Sequence, residues 1–235
     1  MMYETFYDIV EGQINDIQNT QEENIRQAAQ LFAKCVMAGG VIQIFGNGHS
    51  FVGAADLLQR AGGLIQVKAI NSAEYNIYEQ VEGVGRTLMR KVDIRPEDVF
   101  VINTHSGRNP LGVEVAMVIK EHGNPLIVVS PQEACARLTS RHSSGKMVVD
   151  FADVLLDTKG VYGDAAVDLP GVPTKVAATS AITSPLILQC VVLEAIELMV
   201  SQGFEPPVYR SNNLDGQRQR NQALVKKFAH RLFRK

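Results

Sequence analysis

The sequence predicts an α/β fold: a doubly wound, parallel five-stranded sheet flanked by helices, with a helical segment added at the N-terminus. Three observations predict it. The runs Val41–Phe45, Leu64–Val67, Asp98–Ile102, Pro125–Val129 and Ala152–Leu156 are short and almost wholly apolar. Strands buried on both faces of a parallel sheet read this way, whereas a half-exposed antiparallel sheet alternates. Stretches of helical period separate these runs, as crossover connections require. A chain of 235 residues that is 46% apolar can also fill a sizeable core, which excludes global disorder.

The elements follow in order. Residues 3–38 read as helix, because Phe6, Ile9, Val10, Ile14 and Ile17 recur at three- and four-residue steps and Ile25, Ala28, Ala29, Phe32 and Val36 resume the stripe. The polar run Asn19–Glu23 divides it, and Gly39-Gly40 stops it. After the first strand comes Gly46-Asn47-Gly48-His49-Ser50, then helix from Phe51 to Arg60. Tyr75–Val92 is expected to be helical despite Gly83 and Gly85. The third strand leads into Thr104-His105-Ser106-Gly107-Arg108-Asn109-Pro110, then a helix over Leu111–His122 that ends at Gly123. Thr179–Gln202 and the basic stretch Gln217–Lys235 are the last helices. Thr158–Val176, with three glycines and two prolines, is the longest irregular stretch. This divides the chain into an N-terminal helical segment over 1–38, a ligand-binding domain over 39–216 and a C-terminal basic helix over 217–235.

A net charge of -2 and a pI near 6.2 leave no broad electrostatic footprint for nucleic acid. The three cysteines, Cys35, Cys135 and Cys190, form no CxxC pair, which argues against a disulfide framework or structural zinc and for a reducing cytoplasm. The acidic start MMYETFYDIVEGQ is neither a signal nor a transit peptide, and no run of about 18 apolar residues marks a membrane span.

In an open parallel sheet, ligands bind beyond the carboxyl ends of the strands. Two loops there share a character: residues 46–50 and residues 104–110 are rich in glycine and hydroxyls, and each opens a helix. Glycine lets backbone come close to a ligand, helix starts offer unpaired N–H groups, and hydroxyls add hydrogen bonds. One such loop is also an ordinary cap. Two on one sheet suit a phosphate. A dinucleotide fingerprint is absent, because positions 46–51 read GNGHSF and lack the third glycine. A phosphate-binding P-loop is absent too, since Ser144-Gly145-Lys146 is followed by Met147 instead of a hydroxyl. A third hydroxyl cluster, Thr179, Ser180, Thr183 and Ser184, opens the long late helix and serves either as a cap with Pro185 in the first turn or as a further wall of the site.

GNGHS, DVFVINTHSGRNP and the Thr/Ser-rich helix start together resemble the sugar isomerase (SIS) domain of phosphosugar isomerases and phosphosugar-binding regulators, in the same order from about Val41 to Ser201. The resemblance implies a phosphorylated sugar as ligand. It implies contacts from Asn47, Gly48 and Ser50 in the first loop, from Thr104, His105, Ser106, Gly107 and Asn109 in the second, and from Thr179, Ser180, Thr183 and Ser184 in the third. It also implies a homodimer or tetramer, because such proteins complete their sites with a neighbouring subunit. The nearest likeness is to stand-alone SIS proteins grouped with phosphoheptose isomerases, although Gln59 or Arg60 stands where those enzymes carry a glutamate. The SGRNP stretch and Gln80-Val81-Glu82-Gly83 are similar to etherases acting on N-acetylmuramic acid 6-phosphate.

Aldose–ketose isomerisation needs a placed acid–base group. The candidates are Glu82, His49 and His105, with Glu79, Asp164 and Asp215 behind them. The expected activity is sugar-phosphate isomerisation. The alternatives are a non-catalytic phosphosugar sensor or an etherase-like lyase on an amino-sugar phosphate. No cofactor and no metal is expected, since His49, His105 and His142 lack a ligand spacing. Partners are the sugar phosphate and a second copy of the chain, with no nucleic acid and no membrane. The loops at 160–164 and 209–216 are polar and glycine-bearing beyond what a plain connector needs.

Overall fold

A computed structural model describes residues 1–70 and 77–233. The N-terminal helices are α1 (Met2–Thr20) and α2 (Glu22–Met37), broken at Gln21 inside the expected polar run. Strands β1 (Ile42–Gly46), β2 (Val67–Ala69), β3 (Val99–Asn103), β4 (Leu126–Ser130) and β5 (Val154–Asp157) form one sheet in the order β2-β1-β3-β4-β5. All four pairings are parallel, with Ile44 beside Val101 and Ile102 beside Val128. Between them run α3 (Ser50–Ala55), α4 (Val84–Met89), α5 (Pro110–Glu121) and α6 (Gln132–Ala136), and a 3₁₀ turn over Val148–Phe151 precedes β5. Helices α7 (Ser180–Ser201) and α8 (Gln217–Leu232) follow.

The doubly wound expectation is met, and the reason is visible in the side chains. Ile42, Ile44, Val99, Val101, Ile127 and Val129 face α2, α3 and α7, while Phe45, Phe100, Ile102, Leu126 and Val128 face α4 and α5. Alternation sends successive residues to opposite faces. Both faces are covered by helices, so every residue of β1, β3 and β4 is buried.

Several elements differ from expectation. β2 begins at Val67, because Leu64 bridges Val208 and Ile65 donates to the Pro207 oxygen instead of joining the sheet. The stretch 158–176 is not wholly irregular: β6 (Ala165–Val167) pairs antiparallel with β7 (Val176–Ala178). The helix expected over 75–92 shrinks to α4, with Gly83 at a left-handed φ of 90° before it. Its first residues, Tyr75 and Asn76, lie outside the described residues, as do Arg234 and Lys235 of the basic helix. Pro185 sits inside α7, past its first turn.

By length and composition α7 is a candidate membrane span, contrary to the expectation that no stretch would qualify. Its place is in the core, where Ile187, Leu188, Val191, Val192, Ala195 and Met199 pack against the α2 side of the sheet. α8 packs on the body through an unexpected anchor, the buried guanidinium of Arg231. Its two outer nitrogens donate to Asp98 at 2.8–2.9 Å and to Glu97 at 3.0 Å. Asp98 in turn accepts from Val41 N and from Gln43 Nε2, so the last helix is tied to the start of β1.

Candidate functional site

The strand order reverses direction between β1 and β3, where the crossovers leave on opposite faces. That switch point opens a crevice at the carboxyl ends of the strands. The two expected ligand loops leave from these two strands. The first turns within three residues, with Ser50 N donating to Asn47 O at 3.2 Å and Phe51 N to Gly48 O at 3.1 Å. The second is fixed by its own side chain, as Gly107 N donates to Thr104 Oγ1 at 3.0 Å. Gly107 holds a φ of 62°, a left-handed conformation that a side chain resists. Its oxygen accepts from Val148 N at 2.8 Å, which ties the loop to the 3₁₀ turn.

Between the loops lies a cleft of about 230 Å³. Asn47, Gly48, His49 and Ser50 line it from one side, and Thr104, His105, Ser106, Gly107 and Asn109 from the other. Phe45, Ile102 and Val148 supply apolar floor, and Glu79 and Asn103 complete the polar lining. The size and the mixture of apolar floor with few convergent polar groups suit a small ligand. Asn109 stands at the N-cap of α5, but its Oδ1 accepts from Arg141 at 3.1 Å. α3 spans only Ser50–Ala55, much shorter than the helix expected over Phe51–Arg60.

The loop over 158–164 closes against His105. The ring Nε2 donates to Val161 O at 2.9 Å, and Gly160 lies against its Cε1 edge. The ring Nδ1 is buried without a hydrogen-bond partner, 3.8 Å from Asp164 Oδ1. Asp164 Oδ2 lies 3.4 Å from His49 Nε2. The same carboxylate accepts from Thr179 N, Ser180 N and Ser180 Oγ, and so caps α7 from a distance.

The third hydroxyl cluster therefore lies behind the cleft and not on its lining. Thr179, Thr183 and Ser184 are buried, Ser180 is spent on Asp164, and Thr183 Oγ1 donates to Thr179 O. The cause is the burial of α7 itself, which turns its first-turn hydroxyls inward. Glu82 is also off the lining. Its carboxylate accepts from Ser143 N at 2.6 Å and Ser143 Oγ at 2.7 Å, with His142 Nε2 at 3.9 Å. Those bonds from Ser143 hold its pKa below the ordinary carboxylate value. Glu79, three residues earlier, lines the cleft and accepts from Asn47 Nδ2. Asp215 is likewise absent from the lining. Among the described residues no group of three or more His, Cys, Asp or Glu side chains could hold a metal.

Residues 5–130 match the family profile described as SIS domain. A UPF0309 protein of Listeria monocytogenes is 46% identical over 229 residues, covering 97% of this chain and 98% of that protein. The structure of a phosphoheptose isomerase from Neisseria gonorrhoeae superposes with a TM-score of 0.58 at 19% identity, over 83% of this chain and 97% of that one. A phosphoheptose isomerase from Francisella tularensis superposes with a TM-score of 0.57 at 16% identity, over 83% and 96% of the two chains. At these identities the two superpositions establish the fold.

Proposed function

The chain belongs to the SIS domain family, and we propose that its cleft binds a phosphorylated sugar and interconverts the aldose and ketose forms. The observation that carries this reading is the meeting of residues 46–50 and 104–109 on one cleft at the switch point of the sheet. Ser50, Thr104 and Ser106 offer hydroxyls to the phosphate, Gly48 and Gly107 offer close-lying backbone, and the apolar floor receives the carbon chain. His49, exposed on the lining, exchanges protons with the sugar oxygens. His105, its Nε2 held by the Val161 oxygen and its Nδ1 buried beside Asp164, positions the second loop and does not carry the proton transfer first expected of it. The chain acts as a dimer or larger assembly, and its three free thiols suit the reducing cytoplasm.

Calorimetry with fructose 6-phosphate against fructose tests the binding half. The phosphate ester is expected to bind and fructose to bind far more weakly; equal affinity would remove the phosphate site. Ser106→Ala is expected to cost about 1.5–3 kcal/mol of binding, the range for a hydrogen bond to a charged group. Proton abstraction is read by incubating sugar phosphates with the protein in D₂O and measuring deuterium next to the carbonyl carbon.

A further inference from the structure

Building on the isomerase reading above, we infer that Glu79 is the catalytic carboxylate of this cleft. Three acids lie in or beside it, and the structure uses them differently. Asp164 receives three donors from the start of α7. Glu82 receives two from Ser143 and does not reach the lining. Glu79 lines the cleft and meets the neutral amide of Asn47.

Its position is fixed from the backbone. Glu79 O accepts from Leu111 N at 3.1 Å, which pins the residue to the first turn of α5, beside Asn109 of the second loop. A carboxylate only accepts, so the Asn47 amide must turn its NH₂ toward Glu79. That leaves Asn47 Oδ1 buried and unpartnered on a residue of the same cleft. A buried acceptor with no donor is costly unless a ligand supplies one. A sugar hydroxyl is such a donor. Asn47 thus holds the acid with one end of its amide and offers a seat for substrate with the other.

The step balances as follows. The Glu79 carboxylate takes the proton from C2 of the open-chain aldose phosphate, while His49 gives a proton to the carbonyl oxygen on C1. The C2–H electron pair becomes the C1=C2 bond of an enediol. Glu79 then returns its proton to C1, and His49 recovers one from the C2 hydroxyl, leaving the ketose and both side chains as they began. Substrate and product are isomers, so no co-reactant is consumed.

The experiment compares Glu79→Gln, Glu79→Ala and Glu82→Gln in the full-length protein. Deuterium uptake from D₂O into fructose 6-phosphate, ribulose 5-phosphate and sedoheptulose 7-phosphate is measured beside calorimetric binding of the same compounds. Loss of exchange by about 100-fold or more in Glu79→Gln is expected, the scale of acid–base catalysis, with binding changed less than about threefold. Added formate is expected to restore part of the exchange in Glu79→Ala, which a purely structural role does not allow. Exchange that survives in Glu79→Gln, or that fails in Glu82→Gln alone, overturns the assignment and leaves the isomerase reading standing. Binding without exchange by the unsubstituted protein on all three compounds overturns the isomerase reading itself, and the assignment with it.

Discussion

Asn103, the last residue of β3, donates its Nδ2–H to the main-chain oxygen of Ser50 at 2.7 Å. One buried amide thereby joins the two cleft-lining loops at their roots. The space around it is closed, since a Cβ on Gly53 of α3 would lie 2.5 Å from that nitrogen and 2.9 Å from Ser184 Cβ.

Asn103→Asp is expected to be more damaging than Asn103→Ala. The alanine loses a hydrogen bond and costs about 1–3 kcal/mol of stability. The aspartate sets an acceptor against the Ser50 oxygen and adds repulsion. Urea unfolding gives the stabilities, and calorimetry with fructose 6-phosphate gives the binding loss in the same variants. Equal stability of the two variants would show that the bond is not what holds the loops.

Gly53→Ala is expected to destabilise through overpacking by about 1–3 kcal/mol. Gly12→Ala, on an exposed turn of α1 where a Cβ meets nothing within 4 Å, is expected to stabilise by about 0.5–1 kcal/mol. Thermal unfolding of the pair reads both signs in one experiment.

Arg231→Met leaves Asp98 buried against Glu97 without its cation. Breaking one side of a buried ion pair costs about 3–5 kcal/mol. The loss is expected to appear as early release of α8, seen as rapid amide exchange over 217–232, before the sheet opens.

Burial pushes the Cys35 thiol from its ordinary 9.0 up to about 12. The folded chain therefore keeps this proton over a range in which the unfolded chain gives it up. Stability from this residue is complete below about pH 9 and falls as pH climbs from there toward 12. Cys35→Ala is expected to flatten that alkaline decline in urea titrations, whatever its effect at pH 7. An unchanged alkaline slope would assign the decline to other groups.

Assembly is expected through α1 and α7, which touch each other and each expose large apolar side chains. Of α1 only Gln13 and Ile17 are buried, while Tyr3 and Tyr7 stand exposed, and α7 exposes Leu193 and Val200. Apolar surface of this kind marks a partner contact. Deleting residues 1–38 is a poor test, because Ala28, Phe32 and Val36 of α2 belong to the core. Leu193→Glu with Tyr7→Glu leaves the core intact. Light scattering is expected to show a dimer or larger for the parent chain and a smaller species for the double variant; a monomeric parent refutes the interface.

The parts of this molecule that the sequence discloses are those with a local signature. β1, β3 and β4 stand out because five consecutive buried residues must all be largely apolar, and the ligand loops because glycine and hydroxyls follow those runs at once. β6 and β7 escape notice because strands of three residues carry no readable period. Glu79 lines the cleft and Glu82 does not, and the reason is conformational. Three residues apart on a helix they would share a face, but the chain there turns and Gly83 adopts a left-handed φ, so the two carboxylates part. Arg231 resembles its solvated neighbours, and its acidic partners lie more than a hundred residues away in the chain, outside any local window. The hydroxyls of Thr179–Ser184 read as ligand contacts because the inward rotation of α7 is decided by its packing, not by those six residues.

Asp164 has a consequence that reaches beyond the cleft. Its carboxylate closes the start of the 22-residue helix α7 and also faces His49 and His105. The field that steadies a helix terminus and the field that two imidazoles feel come from one pair of oxygens. A molecule seated in the cleft that draws His49 toward itself therefore alters the electrostatic seal of α7. Linkage requires the converse as well: a change in how Asp164 caps α7 alters how firmly such a molecule is held.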